Sequence, residues 1–97
     1  MGFRVNNLSP EERTAATVLY RALSAAQAAY QEGERGAEAL RRKLRETLAS
    51  EPLAQTQYVS CADYETLQEL EQVTGKTLLS MAVLFGTTRL IDNVVLG

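Results

Sequence analysis

No histidine or tryptophan occurs among the 97 residues, and cysteine occurs once. With Cys61 alone and no histidine, the usual nucleophile–base pairs and nearly all zinc sites cannot be assembled from this chain. No residue is therefore assigned a catalytic or metal-ligating role, and catalysis by the isolated chain is not expected. One cysteine also excludes an intramolecular disulfide and fits a reducing compartment, which makes a cytoplasmic location the expectation. A strong excess of either charge is lacking: ten Lys and Arg against twelve Asp and Glu give a net charge of -2. That balance supplies no electrostatic reason to wrap nucleic acid or to lie on an anionic membrane. Long apolar runs are lacking too, the longest being about eight residues where a membrane span needs roughly 18. No charged-then-apolar leader opens the sequence.

What remains fits one domain with a single modest core. Ser9-Pro10-Glu11-Glu12 is a strong helix start. Ser9 suits the cap, Pro10 the first helical position, and Glu12 completes an S-x-x-E capping box. Ala15, Ala16, Leu19, Ala22, Leu23, Ala26, Ala29 and Tyr30 then recur at the spacing of one helical face. This predicts a helix over Pro10–Glu32, ended by Gly33, with Leu19, Leu23 and Tyr30 as its larger anchors. A second helix is predicted over Gly36–Ser50, stopped by Pro52, with Ala37, Leu40, Leu44 and Leu48 inward. Its basic residues Arg41, Arg42, Lys43 and Arg45 are expected mostly outward, as a solvated face rather than a phosphate site.

Thr56–Ala62 favours a strand with Tyr58, Ser60 and Ala62 on one face and Val59 and Cys61 on the other. Asp63 is a candidate cap for a turn over the next four residues. From Lys76 onward two apolar runs, Leu78–Phe85 and Arg89–Leu96, flank Gly86-Thr87-Thr88 and read as a hairpin. Arg89 and Asp92 stand mid-strand. Three residues apart they point to opposite faces, so each is expected to find its own structural partner. Cys61 reads as a small buried hydrophobe, and Tyr20, Tyr58 and Tyr64 as packing residues with hydroxyls at the rim. The predicted fold class is α+β, with two N-terminal helices packed on a three-stranded antiparallel sheet. The last strand is expected to be an uncovered edge, which predicts self-association as a symmetric homodimer. A monomer follows instead if Arg89 and Asp92 interrupt that edge.

Taken together, Leu8-Ser9-Pro10-Glu11-Glu12-Arg13, Tyr58-Val59 with Asp63 and Glu65-Thr66-Leu67, and Leu84-Phe85-Gly86-Thr87-Thr88-Arg89-Leu90-Ile91-Asp92-Asn93 resemble the C-terminal domain of the pantothenate synthetase family. The resemblance runs nearly end to end. It implies a ligase that joins pantoate and β-alanine with ATP, accompanied by Mg2+, through a pantoyl adenylate. It also implies a partner, the N-terminal nucleotide-binding domain of the same enzyme, over which this part acts as a hinged lid. The family carries an M-S-S-R-N segment just before the first helix that meets the ATP phosphates. Here Met1 and Arg4 match that segment, while Gly2 and Phe3 replace the serines and Val5 the asparagine. The resemblance thus makes Met1 and Arg4 the expected ATP contacts, residues 1–8 a leader and hinge remnant, and residues 9–97 an excised lid domain. The competing reading is a stand-alone α+β module that binds another protein through its sheet or helices.

Overall fold

The computed structural model describes residues 10–97. The α-helices α1 (Pro10–Gln31) and α2 (Ala37–Ala49) are followed by the strands β1 (Ala54–Asp63), β2 (Thr77–Phe85) and β3 (Thr88–Leu96). The strands form one antiparallel sheet in the order β1-β2-β3. Both helices pack on the same face of the sheet, α2 mainly over β1 and α1 mainly over β3. The expected fold class is the one observed. The Ser9 cap lies outside the described residues.

Helix boundaries follow local chemistry. At the end of α1, Gly33 takes φ 112, a left-handed value that favours glycine. This lets Gly33 N–H donate to the Tyr30 carbonyl and Glu34 N–H to that of Ala29, at 3.0 and 2.9 Å. Arg35 adds a donor to the Tyr30 carbonyl at 2.7 Å and lies over the Tyr30 ring. Gly36 offers no side-chain cap to α2. Instead Ala37 N–H donates to the Glu71 carbonyl, from a segment more than thirty residues onward. Ser50 closes the other end of α2.

The core lies between the layers. Ala15, Leu19, Ala22 and Ala26 of α1 and Ala37, Leu40, Leu44 and Leu48 of α2 are fully buried. They meet Leu79, Met81 and Val83 on the inward face of β2, which alternates with the half-buried Leu78, Ser80 and Leu84. Burying each large aliphatic side chain contributes about 1.5–3 kcal/mol, so the leucines dominate and the alanines serve close approach. Val18, absent from the predicted anchors, is also buried, whereas Tyr30 is only partly so.

β1 is longer than predicted at both ends, because pairing with β2 from Ala54↔Phe85 to Asp63↔Thr77 sets its limits. A bulge between Thr56 and Tyr58 interrupts that register. β2 and β3 join through a two-residue turn, Gly86-Thr87, with Gly86 at φ 65 and Thr88 already in the strand. The segment 64–76 does not run through solvent between strands. It folds back as a strap along the free edge of β1, through an Ala62↔Glu69 bridge, and reaches the start of α2 through Gly36↔Gln72.

Candidate functional site

The two predicted ATP contacts, Met1 and Arg4, lie outside the described residues. Among the described residues a groove of about 600 Å³ lies between α1 and β3. Ala16, Leu23 and Val94 give it an apolar floor, with Arg13, Tyr20 and Asp92 among its polar lining. The helical side of this groove is a second stripe of α1, rotated away from the core stripe, so one helix serves two surfaces.

The most connected polar cluster is one the sequence reading placed wrongly. Arg41, expected outward, turns inward, and its side chain is 12% exposed. Its guanidinium donates to the carbonyls of Cys61 at 3.1 Å and Leu70 at 2.6 Å, and to Glu69 Oε1 at 3.0 Å. It also reaches Glu38 at 3.2 Å, which Arg45 pairs from the next turn at 2.9 Å. The reason is geometric: β1 and the strap present main-chain carbonyls beside α2, and a forked cation of this length can satisfy several at once. Arg42, Lys43 and Arg45 remain exposed as expected.

Glu69 completes the cluster by accepting from Cys61 N–H at 3.2 Å and from the Ser60 hydroxyl. Burial pushes its carboxyl upward, but Ser60, Cys61 N–H and Arg41 outweigh burial and leave it below its ordinary value of 4.5. Hydrogen bonds from Arg45 and Arg41 likewise lower Glu38, and the Thr66 and Glu65 amides lower Asp63. A carboxylate held low in the fold contributes stability above its unfolded value and loses it as pH falls through the lowered one. The urea midpoint of the chain is therefore expected to fall as pH drops from about 5 to about 3. Glu69→Gln should start from a lower midpoint at neutral pH and decline less steeply; an unchanged acid slope would count against this assignment.

Asp63 caps the turn as predicted, with Oδ1 accepting from Glu65 and Thr66 N–H at 2.8 and 2.9 Å. Arg89 Nε donates to Gln57 Oε1 at 2.6 Å, tying β3 to the bulge of β1 across β2. Asp92 accepts from Asn93 N–H at 2.8 Å. Both expected structural roles hold, and Cys61 is buried, its thiol pushed up chiefly by desolvation. Tyr20, expected to pack with only its hydroxyl at the rim, is 71% exposed and lines the groove. Tyr64 packs instead against the Lys76 ammonium, 4.2 Å from its ring centroid. Among the described residues no three His, Cys, Asp or Glu gather where they could hold a metal ion, and no helix is long and apolar enough to cross a membrane.

The model of the pantoate-beta-alanine ligase family matches residues 1–95. The chain belongs to that family. Its relatives include the pantothenate synthetase of Roseiflexus sp. (strain RS-1), 57% identical over 89 residues that make up 92% of this chain and 32% of the relative. That of Herpetosiphon aurantiacus is 55% identical across 99% of this chain and 35% of the relative. A crystal structure of pantothenate synthetase from Thermus thermophilus superposes with a TM-score of 0.80 at 37% identity, over 90% of this chain and 31% of that one. The chain thus spans about a third of the length of the curated ligase-family members it matches.

Proposed function

We propose that the chain is the C-terminal lid domain of a pantoate–β-alanine ligase. In that role it closes over ATP held by an N-terminal nucleotide-binding domain, its partner in the same enzyme. The pantoate carboxylate attacks the α-phosphorus of ATP and pyrophosphate leaves; the amine of β-alanine then attacks the acyl carbon of pantoyl adenylate, giving pantothenate and AMP. Residues 1–8 form the hinge side, where Arg4 offers a guanidinium to the phosphates. Met1 lies beside the nucleotide, and residues 9–97 form the lid body. Magnesium neutralises charge on the nucleotide, and no described residue is assigned to it. The setting is the cytoplasm, where ATP is supplied.

One observation carries this reading: a family match over residues 1–95 in a chain spanning about a third of its relatives. The same match favours a ligase part over a free interaction module. The test is a chimera in which this chain replaces the matched third of the Thermus thermophilus enzyme, assayed for pyrophosphate release and pantothenate formation. The chimera is expected to turn over and the chain alone is not. Arg4→Ala should slow the chimera about tenfold or more, the loss of a hydrogen bond from a charged donor. A folded chimera without activity would refute the lid reading, and an Arg4→Ala chimera of undiminished rate would refute the role of Arg4.

A further inference from the structure

The middle strand is apolar on both sides. Leu79, Met81 and Val83 of β2 face the helices, and Leu78, Ala82 and Leu84 face the other way. An antiparallel strand with one wet face alternates apolar with polar residues, whereas a strand covered on both faces reads as a nearly continuous apolar run. β2 is of the second kind, yet among the described residues helices cover only one side of it. The other side forms a single surface: Ala82 lies between Tyr58 and Ile91 in one cross-strand row, and Leu78 between Ala62 and Val95 in another. Tyr58, Ile91 and Val95 are 40%, 42% and 41% exposed. Tyr64, whose N–H donates to the Lys76 carbonyl at 3.1 Å, extends the surface one row past the strand ends. Contiguous apolar surface of this kind marks a contact site.

Just beyond Tyr64 the backbone is strained. Leu67 takes φ 62, and among the described residues no other non-glycine residue has a positive φ. Its turn is locked: Leu67 N–H donates to the Asp63 carbonyl at 2.8 Å, and the Glu65 and Thr66 amides donate to the Asp63 carboxylate. A glycine would adopt this backbone freely. The leucine adopts it at a cost, and its side chain is 64% exposed, so burial within this chain does not offset the strain. Strain that the surroundings enforce and the chain itself does not use points to a contact made elsewhere.

We infer that this sheet face, with Leu67 at its rim, docks on the N-terminal nucleotide-binding domain, so that the lid closes with its sheet toward that domain and its helices away from it; the inference rests on the lid reading. The chain spans about a third of its relatives, which leaves about two-thirds of each to supply the covering body. Charge agrees. The residues that alternation puts on this face include Lys76 and Arg89 and no acid, which suits a domain loaded with nucleotide phosphates. Glu69, at the free edge of β1, is already held by Arg41.

Hydroxyl-radical footprinting of the chain alone and of the Thermus chimera with ATP added tests the surface. In the chimera Tyr58, Tyr64, Leu67 and Ile91 should oxidise several-fold more slowly than in the chain alone, while Tyr20 and Leu53, 71% and 59% exposed elsewhere, keep their rates. Leu67→Asn removes the apolar side chain and leaves a residue that takes left-handed backbone readily. The Tm of the variant chain should hold or rise, while protection of Tyr58 and Ile91 in the variant chimera weakens. A lower Tm with protection unchanged would make Leu67 a structural residue and overturn its part in docking. A chimera that turns over with this face as reactive as in the chain alone overturns the inference and leaves the lid reading intact, as does one that protects Tyr20 in place of the sheet face. Protection that grows with the concentration of the chain alone would give the face to a second copy and also overturns it. A folded chimera without activity refutes the lid reading, and this inference with it.

Discussion

Replacing Arg41 with alanine is expected to cost about 2–4 kcal/mol of stability, although the residue lies in a basic run that looks like solvated surface. The cost does not come mainly from its ion pair with Glu69. That carboxylate is 54% exposed, and screened pairs contribute at most about 1 kcal/mol. It comes chiefly from the part-buried Leu70 carbonyl, which would lose its charged donor, and in smaller part from the Cys61 carbonyl, which would keep Leu70 N–H alone. For a domain of this size the loss corresponds to a fall in Tm of about 10–25 °C. Arg41→Lys should recover little, since an ammonium cannot span two carbonyls and a carboxylate as the planar fork does. Arg42→Ala, one position along and exposed, should stay within about 0.5 kcal/mol. Thermal melts of the three variants separate clamp from surface, and equal losses at 41 and 42 would show that Arg41 holds nothing.

Leu79→Ala is expected to cost about 2–5 kcal/mol by urea denaturation, through lost burial and the cavity left beneath the helices. Leu79 is fully buried at the centre of the sheet, opposite Cys61 on one side and Val94 on the other. Its neighbour Leu78 points to the face away from the helices and is half-buried, so Leu78→Ala should cost less than about 1.5 kcal/mol. A single step along the strand therefore reports which face carries the core. Comparable losses at the two positions would mean that the outer face is covered in solution.

Much of this fold was legible because its signals are periodic or local. The apolar repeat gave α1 and α2 to within a residue or two, and Gly33 and Gly86 marked turns that need positive φ. The strap from 64 to 76 was not legible, since its bonds to β1 and to the start of α2 are made largely by the main chain and leave little trace in side-chain pattern. Arg41 was misplaced for an instructive reason. Positions 37, 40, 41, 44 and 48 all fall on the inward arc of α2, and charge was allowed to overrule spacing at the third of them. An arginine on an apolar stripe is a signal for buried carbonyls nearby. Tyr20 was read by residue type as a packing residue with its hydroxyl at the rim, though it lies off the stripe that Leu19 and Leu23 define and is largely exposed. Met1 and Arg4, expected to meet ATP, were suggested by their match to a family motif and by no periodic or local signal.

The contact of α1 with β3 brings together the earliest and latest of the described elements. On the ribosome, α1 is complete long before the strand that covers its flank has been made. Until β3 emerges, Leu19 and Leu23 of the nascent helix can be sheltered only by α2 and whatever else is at hand. Synthesis order therefore leaves the domain without its full core until its final strand is out, and substitutions in β3 should act as strongly on the yield of folded protein as on the stability of what folds.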